Sequence, residues 1–282
     1  MSRSNITAVL EVYNEEDRIE LCIKNFLWAD SIIVIDKSST DLTAEIASKF
    51  ATEVVRVPYS DRCGIHLEKV LSERNISEWV IAPTASSLIH PNLVKDIIAL
   101  TTDVNFNYDV IGMPYAIHAF GICSDRSPWH DKRKYTLIRK SALILTHKTH
   151  HEFYSDSNKR YDMPIKNKVE VLYHLTHRSL DDYFEKTLRY AKNESDQGES
   201  SRGAIYSIFK SIFTIIVRKR TIWMKKHGLA LSLLYAGNFV AIYLRTWEKK
   251  LNLNDYHNIK KEIGDEWDKV NRNKNCKEDE HG

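Results

Sequence analysis

Residues 6–50 read ITAVLEVYNEEDRIELCIKNFLWADSIIVIDKSSTDLTAEIASKF. The first seven, Ile6–Val12, and the run Ser31–Asp36 are β-rich, and the second is continuously apolar until it ends in an acid. A continuous apolar run of that length is the pattern of a strand buried on both faces of a parallel sheet. Between them, residues 15–28 carry Ile19, Ile23, Phe26 and Leu27 at helical spacing, with Glu15, Glu16 and Asp17 at the positive end and Asn14 as cap. Thr40 or Asp41 caps a second helix that reaches Phe50. Strand, helix, strand, helix at this spacing predicts an α/β fold with a mostly parallel sheet flanked by helices.

The alternation continues outward. Strands are expected at 53–57, 78–82 and 108–117, helices at 65–74 and from Pro91 to about Leu100. Further strand candidates lie at 135–139 and 168–175, and a helix capped by Ser179 at 179–193. Sheets of this kind bind ligands beyond the carboxyl ends of their strands. The residues to watch are therefore 13–14, 36–40, 59–66 and 83–87. Neither GxGxxG nor GxxxxGKS occurs, which argues against a Rossmann fingerprint and a P-loop.

The chain has 282 residues, 43% hydrophobic and 28% charged, the mix of a globular protein rather than a disordered or polytopic membrane chain. Cys22, Cys63, Cys123 and Cys276 form no CxxC pair, which favours a reducing compartment over a disulfide framework. No secretory signal is expected at the N-terminus. The net charge of +3 is uneven: residues 203–247 contain no Asp or Glu but carry Lys210, Arg218, Lys219, Arg220, Lys225, Lys226 and Arg245. In 204–217 the polar residues Ser207, Lys210, Ser211 and Thr214 continue to Arg218 as one narrow stripe on an apolar helix. The apolar run 229–244 is shorter than the ~20 residues a spanning helix needs. A basic helical segment lying in an anionic membrane interface is the expectation, against a core helix with a solvated basic cluster. Nucleic acid is disfavoured because the charges sit among Ile, Phe and Leu. Three parts follow: 1–200, a helical segment 201–250, and a polar tail 251–282, with 193–202 as linker.

A first strand ending in Tyr13-Asn14-Glu15-Glu16, a second ending in Asp36, and the turn Ser39-Thr40-Asp41-Leu42-Thr43 together resemble the N-terminal half of a family 2 glycosyltransferase of GT-A fold. Trp79-Val80-Ile81, Gly121, Trp129 with Asp131, 137–140, the pair His151-Glu152, and 173–191 resemble later segments of its bacterial lipopolysaccharide-core type. The resemblance implies an inverting transferase that moves a sugar from a nucleotide donor, UDP-linked, to an envelope or lipid-linked glycan. It implies a nucleotide site at Tyr13, Asn14, Glu15, Asp36, Ser38, Arg62 and His66. It implies Glu152 as the general base, with Asp131 second. Trp129, Arg133 and Arg139 fall on the diphosphate or acceptor side.

One piece of the pattern is missing. Where the family carries Asp-x-Asp for a divalent cation, this chain reads Thr84-Ala85-Ser86-Ser87. Hydroxyls do not replace carboxylates for a hard cation. The expectation is a metal-independent transferase at the inner, cytoplasmic face of a membrane, with no metal cofactor. A catalytically degenerate GT-A-like binding module is the alternative. His147, His150 and His151 form a ligand-like cluster that zinc would accept. Each site residue also has a plainer role open to it, Asp36 as a turn cap and Glu152 in a loop salt bridge.

Overall fold

The computed structural model describes residues 4–60, 64–145, 153–196, 201–251 and 254–278. Its first part runs β1 (Ile6–Val12), α1 (Glu16–Asn25), β2 (Ser31–Asp36), α2 (Thr43–Ser48), β3 (Glu53–Arg56), α3 (Leu67–Ser72) and β4 (Trp79–Ile81). Next come β5 (Ser87–Ile89), α4 (Pro91–Thr102), β6 (Val110–Ala119) and β7 (Arg133–Arg139). A two-stranded hairpin, β8 (Ile144–Leu145) with β9 (Phe153–Tyr154), is followed by β10 (Arg160–Asp162) and β11 (Leu172–Thr176). The chain ends in α5 (Leu180–Asp196), α6 (Ser201–Phe213), α7 (Lys225–Glu248) and α8 (Asn254–Glu278).

The main sheet has the order β3-β2-β1-β4-β7-β6-β11-β5, with β10 also on β6. β1 to β4 pair in parallel, as do β6 with β10 and β11, while β7 runs antiparallel between β4 and β6. The expected mostly parallel α/β sheet flanked by helices is thus the observed fold. The period-two alternation of β1 sends its apolar residues to both faces: Ala8, Leu10 and Val12 join one buried cluster with Ile19, Ile23 and Phe26, and Val9 joins another with Leu67 and Val70. Both faces of the strand are covered, and each such side chain contributes about 1.5–3 kcal/mol by leaving water. β6 carries a bulge at Gly112, where a Cβ would stand 2.5 Å from Tyr135 Cε1 and 2.7 Å from Asp162 Oδ1.

Several expectations need correction. Leu27 is exposed rather than core, because α1 stops at Asn25. β5 was not anticipated; it is three residues long and is pinned by Asn25, whose Nδ2 donates to Ile89 O at 3.2 Å while its Oδ1 accepts from Ile89 N at 2.6 Å. The described residues of the expected linker are helical, since α5 reaches Asp196 and α6 begins at Ser201; 197–200 lie outside the described residues. Within the polar tail, Asn254–Glu278 form a 25-residue helix, α8.

The apolar run expected to be short belongs to a 24-residue helix, about 36 Å long at 1.5 Å per residue. With the turn before it, that helix is long and apolar enough to cross a membrane by length and composition, and only 22% of its most apolar window is buried. α7 packs on α5, where the Tyr183 hydroxyl donates to Leu234 O and Ala191 meets Ile242. α6 is inverted relative to a helix on a water-soluble core. Ser211 (2% exposed) and Thr214 (9%) face the protein, while Tyr206, Phe209 and Phe213 are 58–67% exposed. Its end widens into a π-turn, Thr214–Arg218, and Arg220 and Lys225, both at positive φ, bracket the bend into α7.

Candidate functional site

The carboxyl ends of β1, β2 and β3 align at Val12, Asp36 and Arg56, so the loops after them form one edge. Asn14 has φ 52°, and its side chain does not cap α1. Its Oδ1 accepts from Thr40 N at 2.9 Å and its Nδ2 donates to Thr40 Oγ1 at 3.2 Å. The amides at the start of α1 are met instead by the second loop: Glu15 N donates to Thr43 Oγ1 (2.7 Å) and Glu16 N to Asp41 Oδ2 (3.2 Å). Asp41 Oδ1 also accepts from Thr43 N at 3.0 Å. One carboxylate therefore serves the N-termini of both α1 and α2. Burial alone raises its pKa, but the bonds from Thr43 and from the Glu16 amide outweigh it and hold the carboxyl below its ordinary value.

Asp36 is fully buried, and its carboxylate accepts from Ser39 N at 3.1 Å and 3.3 Å, with Arg56 Nε 3.9 Å away. It caps the 36–39 turn. Ser38, at φ 58°, donates its hydroxyl to Val57 O at 2.8 Å. Tyr13 meets Tyr59 with ring centroids 4.5 Å apart. His66 Nε2 lies 3.0 Å from Pro58 O. Tyr13, Asn14, Ser38 and His66 are thus all on or beside this edge. Glu15 is engaged by Arg18 in an ion pair. Arg62 lies outside the described residues. Sequence reasoning missed Glu11 and Lys37, a nearly buried pair with Nζ 3.6 Å from Oε1, whose other carboxylate oxygen accepts from Gly64 N at 2.7 Å. The signal was there: an acid inside the apolar strand AVLEV.

Beyond β4, Thr84, Ser86, Ser87 and His174 form a closed knot. Thr84 Oγ1 lies 2.9 Å from Ser86 Oγ, 3.1 Å from Ser87 Oγ and 3.3 Å from His174 Nδ1; Ser86 Oγ is 3.1 Å from the same nitrogen. Burial pushes the His174 pKa down to about 3, with Lys134 and Lys186 adding to it, so the ring is neutral. Burial likewise pushes the Cys22 thiol, which donates to Thr84 O at 3.3 Å, up to about 12. Hydroxyls already bonded to one another and an uncharged imidazole do not fit a magnesium or manganese ion, which takes carboxylate oxygens. Among the described residues no group of three or more His, Cys, Asp or Glu is placed to hold a metal. His147, His150, His151 and Glu152 lie outside the described residues.

On the expected acceptor side, Trp129 packs between the main sheet and the terminal helices, 5.3 Å from the His177 ring and 5.6 Å from Tyr235 of α7. Asp131 is exposed, accepts from Lys132 N at 2.7 Å, and lines a cavity of about 570 Å³ shared with α6 and α7. Arg133 is held by Asp162 (3.3 Å) and the Met163 carbonyl. Arg139 belongs elsewhere. It pairs with Trp79 at the start of β4, the amino-terminal edge of the parallel strands, and its guanidinium is taken up by Glu78 (2.6 Å), Phe106 O (3.0 Å) and the Trp79 ring. Arg133 and Arg139 are the first and last residues of β7, and because β7 is antiparallel to β4 its last residue falls at the amino-terminal edge of the parallel strands.

A mostly parallel α/β sheet with a cross-tied loop edge at its strand ends defines the class. Residues 7–73, spanning β1 through α3, match the model of glycosyl transferase family 2. Among solved structures, glucosyl-3-phosphoglycerate synthase from Mycobacterium tuberculosis, in complex with Mn2+, UDP and glucosyl-3-phosphoglycerate, is similar at 25% identity and TM-score 0.32 over 40% of this chain and 43% of that one. Mannosyl-3-phosphoglycerate synthase from Rubrobacter xylanophilus is similar at 20% identity and TM-score 0.33, over 40% of each chain. The chain spans less than half the length of these proteins.

Proposed function

We propose that the protein is an inverting glycosyltransferase that takes a sugar from a nucleotide donor, UDP-linked, and delivers it to an envelope or lipid-linked glycan at the cytoplasmic face of a membrane. The observation that carries this is the coincidence of the family 2 match, residues 7–73, with the cross-tied loop edge of β1 to β3. In this reading the Tyr13 ring face takes the base, and Ser38 and Asn14 contact the ribose. Asp36 acts from beneath as a positioning residue, because with no exposed surface it serves the turn that presents them. The leaving diphosphate draws on Arg56, exposed at the same edge, on the His66 ring and on backbone amides. Glu152 is the candidate for taking the acceptor's proton, with Asp131 second.

The uncharged knot at Thr84 and Ser86 supports transfer without a divalent cation. The outward apolar face of α6 and the basic bend at Arg218, Lys219, Arg220, Lys225 and Lys226 support apposition to an anionic bilayer. The same knot favours one second reading, a GT-A-like module that binds a nucleotide without turnover. Thermal unfolding with UDP and UDP-sugars, each with EDTA and with manganese, tests both. Stabilisation that survives EDTA, together with sugar release above the buffer rate, is expected. Stabilisation without any turnover leaves the binding module, and no shift with any nucleotide rejects the donor site.

A further inference from the structure

We infer that the cavity between the 128–132 loop and the α6–α7 bend is a binding site for the terminal phosphate of a membrane lipid, a phosphomonoester or diphosphate head. This rests on the membrane-apposed reading above and goes beyond it by naming what the surface holds. The cavity, about 570 Å³, is lined by Lys132, Lys210, Arg218 and Lys219, with His130 and with Asp131 as the one carboxylate among the described lining residues. Among the described residues, Lys132, Lys210 and Arg218 have no ion-pair partner. Lys219 spends one proton on His130 O at 2.7 Å. Four cations facing one acid in a partly enclosed space repel one another, and an anion relieves that repulsion. Burial, with Arg218 beside it, already holds the Lys219 ammonium below its ordinary pKa. His130, which also lines the cavity, has its Nδ1 buried with no hydrogen-bond partner among the described residues.

The outward face selects a lipid over a soluble anion, and the charge count selects its head. The cavity lies on the inward, polar side of α6, while Phe209 and Phe213 on that helix and Trp223 in the bend are 58–70% exposed. A bilayer that takes up those side chains holds its headgroups beside the same helix and bend, within reach of the exposed Lys210 and Arg218 that line the cavity. The charge count selects the head: a monoester carries more than one negative charge near neutral pH and accepts several hydrogen bonds, where a bridging diester carries one charge.

The test uses the full chain and sedimentation with phosphatidylcholine vesicles containing either phosphatidic acid or phosphatidylglycerol at matched surface charge. Phosphatidic acid vesicles are expected to bind about tenfold more tightly. The double variant Lys210→Gln with Arg218→Gln is expected to lose that preference while still binding both. Equal binding of the two lipids by the unmodified chain, or a preference that survives in the double variant, overturns the proposal. If no vesicle binds, yet inorganic diphosphate raises the unfolding temperature of the unmodified chain and not of the variant, the lipid source is overturned and a soluble phosphate ligand takes its place. UDP protection, measured in parallel, reads the donor site separately, so failure of the transferase reading is distinguishable from failure of this one.

Discussion

Replacing Phe209 and Phe213 together by serine tests the inverted helix directly. The two rings are 66% and 58% exposed, so of roughly 200 Å² per aromatic side chain about 130 and 115 Å² face outward. At about 25 cal/mol per Å² those areas are worth about 3 kcal/mol each on full transfer out of water. A helix at an interface buries only part of its outer face. About half that gain, roughly 3 kcal/mol for the pair, gives a loss of about 100-fold in partition to anionic vesicles. Because neither ring fills the core, the unfolding temperature should stay level or rise slightly. Sedimentation with vesicles measures the first and thermal unfolding the second, with Trp223 fluorescence as an internal check because that side chain is 70% exposed in the adjoining bend. Vesicle affinity unchanged to within about threefold would refute the membrane face. A large drop in unfolding temperature would return α6 to the core.

Asp36→Ala is expected to abolish nucleotide protection by releasing the Ser39 amide and its turn, and Asp36→Asn to restore most of it, because an amide oxygen still accepts that bond; thermal shift with UDP reads both. His174 carries an acid sensitivity. Its pKa is about 3 when folded against 6.5 ordinarily, so its stabilising share is complete above pH 6.5 and is lost as pH falls toward 3. With the ring half-buried, the loss by about pH 4.5 is roughly 1–2 kcal/mol. His177, also lowered by burial to about 4, acts with the same sign. Denaturant unfolding of His174→Gln across this range should show a flatter acid limb, and an unchanged slope would remove His174 as a cause. Gly228→Ala places a Cβ 2.0 Å from Thr221 O, so the bend into α7 must open. It should cost about 1–3 kcal/mol, and full retention of stability would show that the bend is free to move.

The first half of the sheet was legible because its strands are long apolar runs punctuated by acids and turn residues, and each such run can sit only in a two-sided core. What escaped was set by contacts distant in sequence. β5 is three residues and is recognised by Asn25, sixty-four positions away from Ile89. Arg133 and Arg139 read as neighbours at one site, but seven residues of strand separate their Cα atoms by about 20 Å. Asn14 read as a cap because Asn before a helix usually is one; the bonds to Thr40 and the left-handed backbone send its side chain across to the neighbouring loop. The polar stripe of α6 was visible in the sequence, whereas the cavity it lines needed the 128–132 loop brought beside it.

The exchange of hydrogen bonds between the β1 and β2 loops has a thermodynamic consequence. Asn14, Thr40, Asp41 and Thr43 tie the two strand-end segments into one body before any nucleotide arrives, so the ordering cost was met during folding. In the proposed transferase, a donor docking there would find a wall already shaped, and the free energy of its contacts would not be spent on freezing loops.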